Sequence, residues 1–325
     1  MKKYDFTGEF SAQNKFKDKT DINFYSIAAS MSVLGYIILS KIYATGVELL
    51  GLRRLVTGTQ LANQSFTLVA TMSTILVPFL LAGSIEKKRT DIDICPLDKP
   101  NNPLLTALAV PAGVAVCIIG SLVTNYITFF VSMFGVELTQ PSLAAPPTGY
   151  ALFLYILRLT LVAAVMEEVC FRGVVMQPLR KYGNFFAILM SAMVFALTHC
   201  NLIQAPAAFI AGIGIGYFTI ATGSVWTGIL IHLFNNLIVA VSQYYLAVGE
   251  NDKAMFVGTT VGYIVLAVGL VCLVLFFVKR KTAKLNGGMR IYLSAGERVK
   301  AYILNPAMIL TLFVIAFMTA QFIKI

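Results

Sequence analysis

Residues 150–179 read YALFLYILRLTLVAAVMEEVCFRGVVMQPL. The run is apolar enough to cross a bilayer, yet Met166-Glu167-Glu168-Val169-Cys170-Phe171-Arg172 sets two adjacent carboxylates and an arginine inside it. A charged side chain at the centre of a membrane helix costs about 2.5–3.5 kcal/mol, so an unexplained pair would normally have been lost. An acid at that depth is a functional-site hypothesis by default.

The surroundings of this run read the same way. Of 325 residues, 58% are hydrophobic and only 12% charged, the composition of a membrane protein rather than of a soluble enzyme. Nine apolar stretches approach the ~20 residues that a transmembrane helix needs: 24–42, 65–83, 104–130, 150–177, 184–200, 204–222, 225–246, 254–278 and 307–323. The expected fold is therefore an all-α, polytopic transmembrane bundle of about eight to nine spans. The first twenty residues are polar and no short apolar core with a small-residue cleavage site follows them, so no cleavable signal is expected.

The net charge of +10 could point to nucleic acid or to anionic lipid, and the placement of the cations decides. With a cytoplasmic N-terminus and nine spans, the inside segments hold Lys2, Lys3, Lys15, Lys17, Lys19, Lys87, Lys88, Arg89, Lys99, Arg180, Lys181, Lys279, Arg280, Lys281, Lys284, Arg290, Arg298 and Lys300. The outside segments hold Lys41, Arg53, Arg54, Lys253 and Lys324, a ratio of 18 to 5 that matches positive-inside sorting. The basic excess is thus a topology signal, with membrane lipid as the partner and no nucleic acid. A multi-pass protein of the cell membrane is expected.

Residues 1–23 read as a polar, partly disordered or interfacial arm. The loop 84–103 mixes charges with three prolines, and 137–149 (ELTQPSLAAPPTG) is the best internal boundary. It separates an arm with three spans (1–149) from a four-helix core with very short connections (150–246) and from C-terminal spans with a basic cytoplasmic segment (247–325). In span six, Pro206 suits a first helical turn. Ala208, Gly212 and Gly216 at four-residue spacing make a close-packing face, and no Lys-Ser/Thr follows to make a phosphate loop. Cys95, Cys117, Cys170, Cys200 and Cys272 are scattered and lack metal-type spacing, so they read as reduced, buried small residues.

Of fifteen Asp and Glu residues, only Glu167 and Glu168 fall well inside a span, and the chain's two histidines, His199 and His232, lie in spans of the same core. Glu168 and Arg172 are spaced for an i,i+4 ion pair, Phe195 shares a face with His199, and His232 shares one with Asn236, beside Asn235. In lipid such groups face a shared interior or a water-filled cavity. Taken singly, a buried His or Asn often just bridges helices. Together, two carboxylates, a guanidinium, two imidazoles and an amide without an activated Ser or Cys favour activation of water, with donors to an oxyanion. Ser191 and Thr198 lie near, but no G-x-S-x-G or Ser-Lys pattern supports a nucleophile.

Glu167-Glu168-x-x-x-Arg172, Phe195-x-x-x-His199 and His232-x-x-x-Asn236, in this order on successive membrane segments, resemble the motifs of the CAAX protease and bacteriocin-processing family. These are intramembrane endopeptidases related to the Ras-converting CAAX endopeptidase, also called the abortive-infection family. The resemblance covers residues 150–246. It implies Glu167 as the base that activates water, His199 as its catalytic partner, His232 and Asn236 as supports with Asn236 donating to the oxyanion, and Glu168 and Arg172 as orienting groups. It implies a peptide or lipidated protein tail as substrate and metal-free hydrolysis, although one Glu and two His could hold zinc.

Two other classes use the same residues: a proton- or ion-coupled transporter, and a non-catalytic peptide-binding or immunity protein. A transporter would be expected to show paired broken helices and an inverted repeat, which the sequence lacks. At ~1.5 Å per residue, Glu167 lies about 20 Å from the Arg180–Lys181 edge, His199 about 24 Å from Gly183 and Asn236 about 15 Å from Trp226. Straight helices leave these groups at different depths, and tilts of ~20° bring them closer to level.

Overall fold

The computed structural model describes residues 6–89, 97–140, 145–280 and 291–324. Lys2 and Lys3, Cys95 and Pro96, the middle of the proline-rich linker (141–144), and Lys281, Lys284 and Arg290 of the basic segment lie outside them.

Among the described residues the chain is helical throughout, apart from one antiparallel pair of two-residue strands. The main helices are α1 (Phe6–Leu49), α2 (Gln60–Arg89), α3 (Pro103–Ser132), α4 (Gly149–Tyr182), α5 (Asn184–Leu197), α6 (Ala205–Thr222), α7 (Val225–Ala247), α8 (Asn251–Lys279), α9 (Ala295–Ile303) and α10 (Pro306–Ala320). In the strand pair, β1 (Glu137–Leu138) sets Glu137 opposite Lys324 of β2 (Ile323–Lys324). Local chemistry explains the helix starts. The Asn102 side chain accepts from the backbone N–H of Leu105 with Pro103 next in line, and Asn305 does the same for Met308 ahead of Pro306.

Seven of these helices are long and apolar enough to cross a membrane, or eight if α9 and α10, bent by 66° at their junction, count as one. The protein is a multi-pass membrane protein. Two differences from the sequence reading stand out. The polar arm is helical from Phe6 and continuous with the first span. The apolar stretch 184–200 yields a helix of only 14 residues, α5, which ends at Leu197. At ~1.5 Å per residue it rises about 21 Å, short of the ~30 Å hydrocarbon core. It stops because a polar turn follows: Cys200 takes a left-handed φ of 52°, and the Asn201 carboxamide oxygen accepts from the backbone N–H of Gln204 at 2.9 Å as the next helix begins.

Helix α6 is packed on two faces, and its glycines make this possible. A Cβ at Gly212 would stand 2.9 Å from Ala192 of α5, and one at Gly214 would stand 2.7 Å from Val116 of α3. Gly216 faces Met176 and Ile188 across ordinary contact distances. The Gly-Ile-Gly-Ile-Gly run thus serves close helix approach.

One end of the bundle is knitted together by charged and polar groups. There Lys181 pairs with Asp21 at 3.8 Å, Arg298 donates to the carbonyl of Tyr182, Arg280 donates to the Tyr217 hydroxyl, and the Trp226 indole donates to the carbonyl of Leu97 at 3.0 Å. The opposite end carries the strand pair and the Lys253–Glu250 contact at 3.2 Å.

Candidate active site

Helix α4 is not a regular α-helix. Residues Arg158–Val162 and Val169–Val175 adopt the wider i→i+5 winding of a π-helix, a form rare in proteins and frequent at functional sites. Glu167 and Glu168 sit in the short α-helical piece between these stretches. Neighbouring side chains donate to carbonyls of the π-wound stretches: Asn236 to Leu159 at 2.9 Å, Ser191 to Phe171 at 2.7 Å and Gln177 to Arg172 at 3.0 Å. Ser191 is therefore spent on a backbone oxygen, in line with the absence of a nucleophile motif around it.

The two glutamates point to different environments. Glu168 is completely buried, and its Oε1 accepts at 2.8 Å from both Arg172 Nη1 and His232 Nδ1. Arg172, also fully buried, reaches the carbonyl of Gly212 at 3.3 Å and lies 4.8 Å over the ring of Phe195. Such a pair is held by hydrogen bonds on both partners, the condition under which buried charge is tolerated. Glu167 keeps 19% of its side chain exposed and lies 3.7 Å from His232 Nε2. It opens on a cavity of about 900 Å³.

The acceptors place a proton on Nδ1 of both imidazoles. A carbonyl oxygen can only accept, so the 3.0 Å contact of His199 with Phe195 O places the proton on Nδ1 and leaves Nε2 with its lone pair. By the same argument His232 donates Nδ1–H to the Glu168 carboxylate and turns Nε2 toward Glu167. Phe195 also meets both imidazoles edge to face, with ring centroids 5.1 Å from His199 and 5.8 Å from His232.

His199 lies just beyond the end of α5, and the Asn201 side chain holds its carbonyl at 2.8 Å. Because α5 is short, its end meets the middle of α4, and the depth differences expected of straight helices are absorbed there. Glu167, His199, His232 and Asn236 all line the large cavity, together with Asn125 and Gln140 from the chain before α4. Asn236 keeps one amide N–H for Leu159 and accepts from Asn235 at 3.2 Å, which leaves its second N–H uncommitted.

Some contributors escaped the sequence reading. A Cβ at Gly228 would stand 2.9 Å from Glu168 Oε2 and 2.7 Å from Thr219 Oγ1, so only glycine lets α7 approach the buried carboxylate. Its signal was present: Gly228 precedes His232 by one helical turn and shares its face. Asn201 could have been read as a turn former ahead of Pro206. Asn125, Gln140 and Gln204 carried no local signal.

Among the described residues, no three His, Cys, Asp or Glu side chains are gathered as a set that could hold a metal ion.

Residues 149–238 match the family described as type II CAAX prenyl endopeptidase Rce1-like. The match spans all six residues singled out above, so the stretch that holds the candidate site is similar to that family. No curated protein and no solved structure matches the chain.

Proposed function

We propose that this chain, whose residues 149–238 form a domain of the Rce1-like family of type II CAAX prenyl endopeptidases, cuts peptide bonds within the membrane by glutamate-activated water. The observation that carries the reading is the contrast between two neighbours. Glu168 is locked between Arg172 and His232, whereas Glu167 faces the cavity beside two imidazoles whose Nδ1 atoms are engaged by protein oxygens.

In this reading a water in the cavity gives its proton to the Glu167 carboxylate as its oxygen attacks the scissile carbonyl carbon. His199 offers the Nε2 lone pair to orient that water, and the second N–H of the Asn236 amide meets the developing oxyanion. The proton held by Glu167 then passes to the leaving amine. His232, anchored by Glu168, sets its Nε2 3.7 Å from Glu167, while Arg172 pairs with Glu168. The substrate is a peptide or the tail of a membrane-anchored protein, since the cavity lies between helices that span the bilayer.

In this reading the reaction uses no metal, a part that rests on the placing of the donors: among the described residues no three His, Cys, Asp or Glu side chains gather as a set that could hold an ion. The basic end of the bundle and the N-terminus face the cytoplasm, as positive-inside sorting requires.

The test is cleavage of a lipid-anchored peptide in proteoliposomes. His199→Ala abolishes the activity without loss of fold, and addition of a chelator leaves the wild-type rate unchanged. Full activity in His199→Ala sinks the mechanism, and a peptide that binds the wild type uncut returns the non-catalytic reading.

A further inference from the structure

Glu167, His199 and Gln204 line a second, smaller cavity as well as the large one. It measures about 230 Å³, and its remaining wall is Tyr36 of α1, Ile75 and Phe79 of α2, Phe171 of α4 and Thr198. This is below the ~300–1,000 Å³ of sites that take a whole small molecule, so its size suits one side chain. The wall is mostly apolar and firmly held. Phe79 and Phe171 are 1% and 2% exposed and meet edge to face at 5.1 Å, and Phe171 in turn meets Phe195 at 5.0 Å. The Thr198 hydroxyl is spent on the carbonyl of Phe195 at 2.7 Å.

A bond cut at Glu167 has a substrate residue on either side of it. A chain lying in the large cavity with its scissile carbonyl at Glu167 has the small cavity across that carboxylate and His199, placed to receive a flanking side chain. We propose that the small cavity is the subsite for the residue flanking the scissile bond, and that it selects a large apolar side chain. Tyr36, Ile75 and Phe79 lie outside the matched stretch 149–238, so sequence preference is set by helices that the family domain does not contain. The proposal rests on the hydrolytic reading above. An acidic flanking residue is disfavoured, because Glu167 forms part of the wall.

The test uses the full chain in proteoliposomes with a library of short, lipid-anchored peptides randomised around the cut, and products sequenced by mass spectrometry. The wild type is expected to favour Leu, Met, Phe or Tyr over Ala and Asp at one flanking position. Ile75→Trp fills the cavity and lowers the Phe-to-Ala ratio of kcat/KM at that position by about tenfold or more, the scale on which pocket volume discriminates. Tyr36→Ala enlarges it and shifts the preference the opposite way, toward Trp, which decides the matter if the tryptophan variant does not fold. An unchanged ratio in a folded variant, or a wild type that cuts without preference at either flanking position, overturns the subsite while leaving the hydrolytic reading standing. A wild type that cuts no peptide overturns both.

Discussion

Two span-length segments of the molecule, Asn251–Lys279 and Gly149–Tyr182, make an instructive pair. The first is the more apolar and the less buried; the second is less apolar and more deeply packed in the bundle. The first lies along α3, with its closest approach at Gly269, where a Cβ would crowd the carbonyl of Pro111 and the side chain of Ala115. The second carries two acids and two buried arginines, Arg158 and Arg172, and side chains from other helices donate to its backbone. Crossing a bilayer asks only for apolar length, which both supply. Charged side chains well inside the span are confined to the segment where chemistry is proposed, and Glu168 and Arg172 there are paired with each other.

The sharpest way to break this contrast is Glu167→Gln, which removes the charge and keeps the volume. Cleavage is expected to fall by about 10²–10⁴-fold while thermal melting in detergent stays put, and a variant that still cuts at the wild-type rate removes the chemistry from the segment. Next comes Glu168→Ala, which strands Arg172 in the core. Denaturation in detergent should register a loss of about 3–5 kcal/mol, and a loss below about 1 kcal/mol would show that the buried pair is not needed. Asn236→Ala is expected to slow cleavage by about 10²-fold through kcat, with little change in KM if its amide meets the oxyanion only in the transition state. Smallest is Gly269→Leu in the apolar segment. Overpacking there costs about 1–3 kcal/mol of stability, and kcat per folded molecule should match the wild type. A large fall in kcat would tie that segment to the site after all.

Much of the site could be read from the chain because an apolar background makes each polar exception visible. Glu167, Glu168, Arg172, His199, His232 and Asn236 stand out where nearly every neighbour is aliphatic or aromatic, and the structure gathers all six around one place. The end of α5 could not be read in this way. Residues 184–200 are apolar enough to look like a full crossing, and the stop at Leu197 depends on the turn around Cys200 and Asn201. Nor could the π-wound stretches, since RLTLV and VCFRGVV have the composition of ordinary helix. Tyr36 and Phe79 reach the site only through tertiary packing, more than eighty residues before Glu167 in the sequence.

The π-wound stretch Val169–Val175 also bears on how this protein tolerates edits to its length. A turn that closes i→i+5 holds one residue more than an α-turn. Deleting one residue there would let the helix close with ordinary winding and leave both flanks helical in nearly their present phase, whereas the same deletion from a regular α-helical stretch rotates the flanks against each other by about 100°. Glu167 and the Met176–Leu179 turn would then keep their present neighbours, and only the wide turn between them would be lost. A single-codon deletion, usually regarded as a break, would here be absorbed by the one part of the helix that carries a residue to spare.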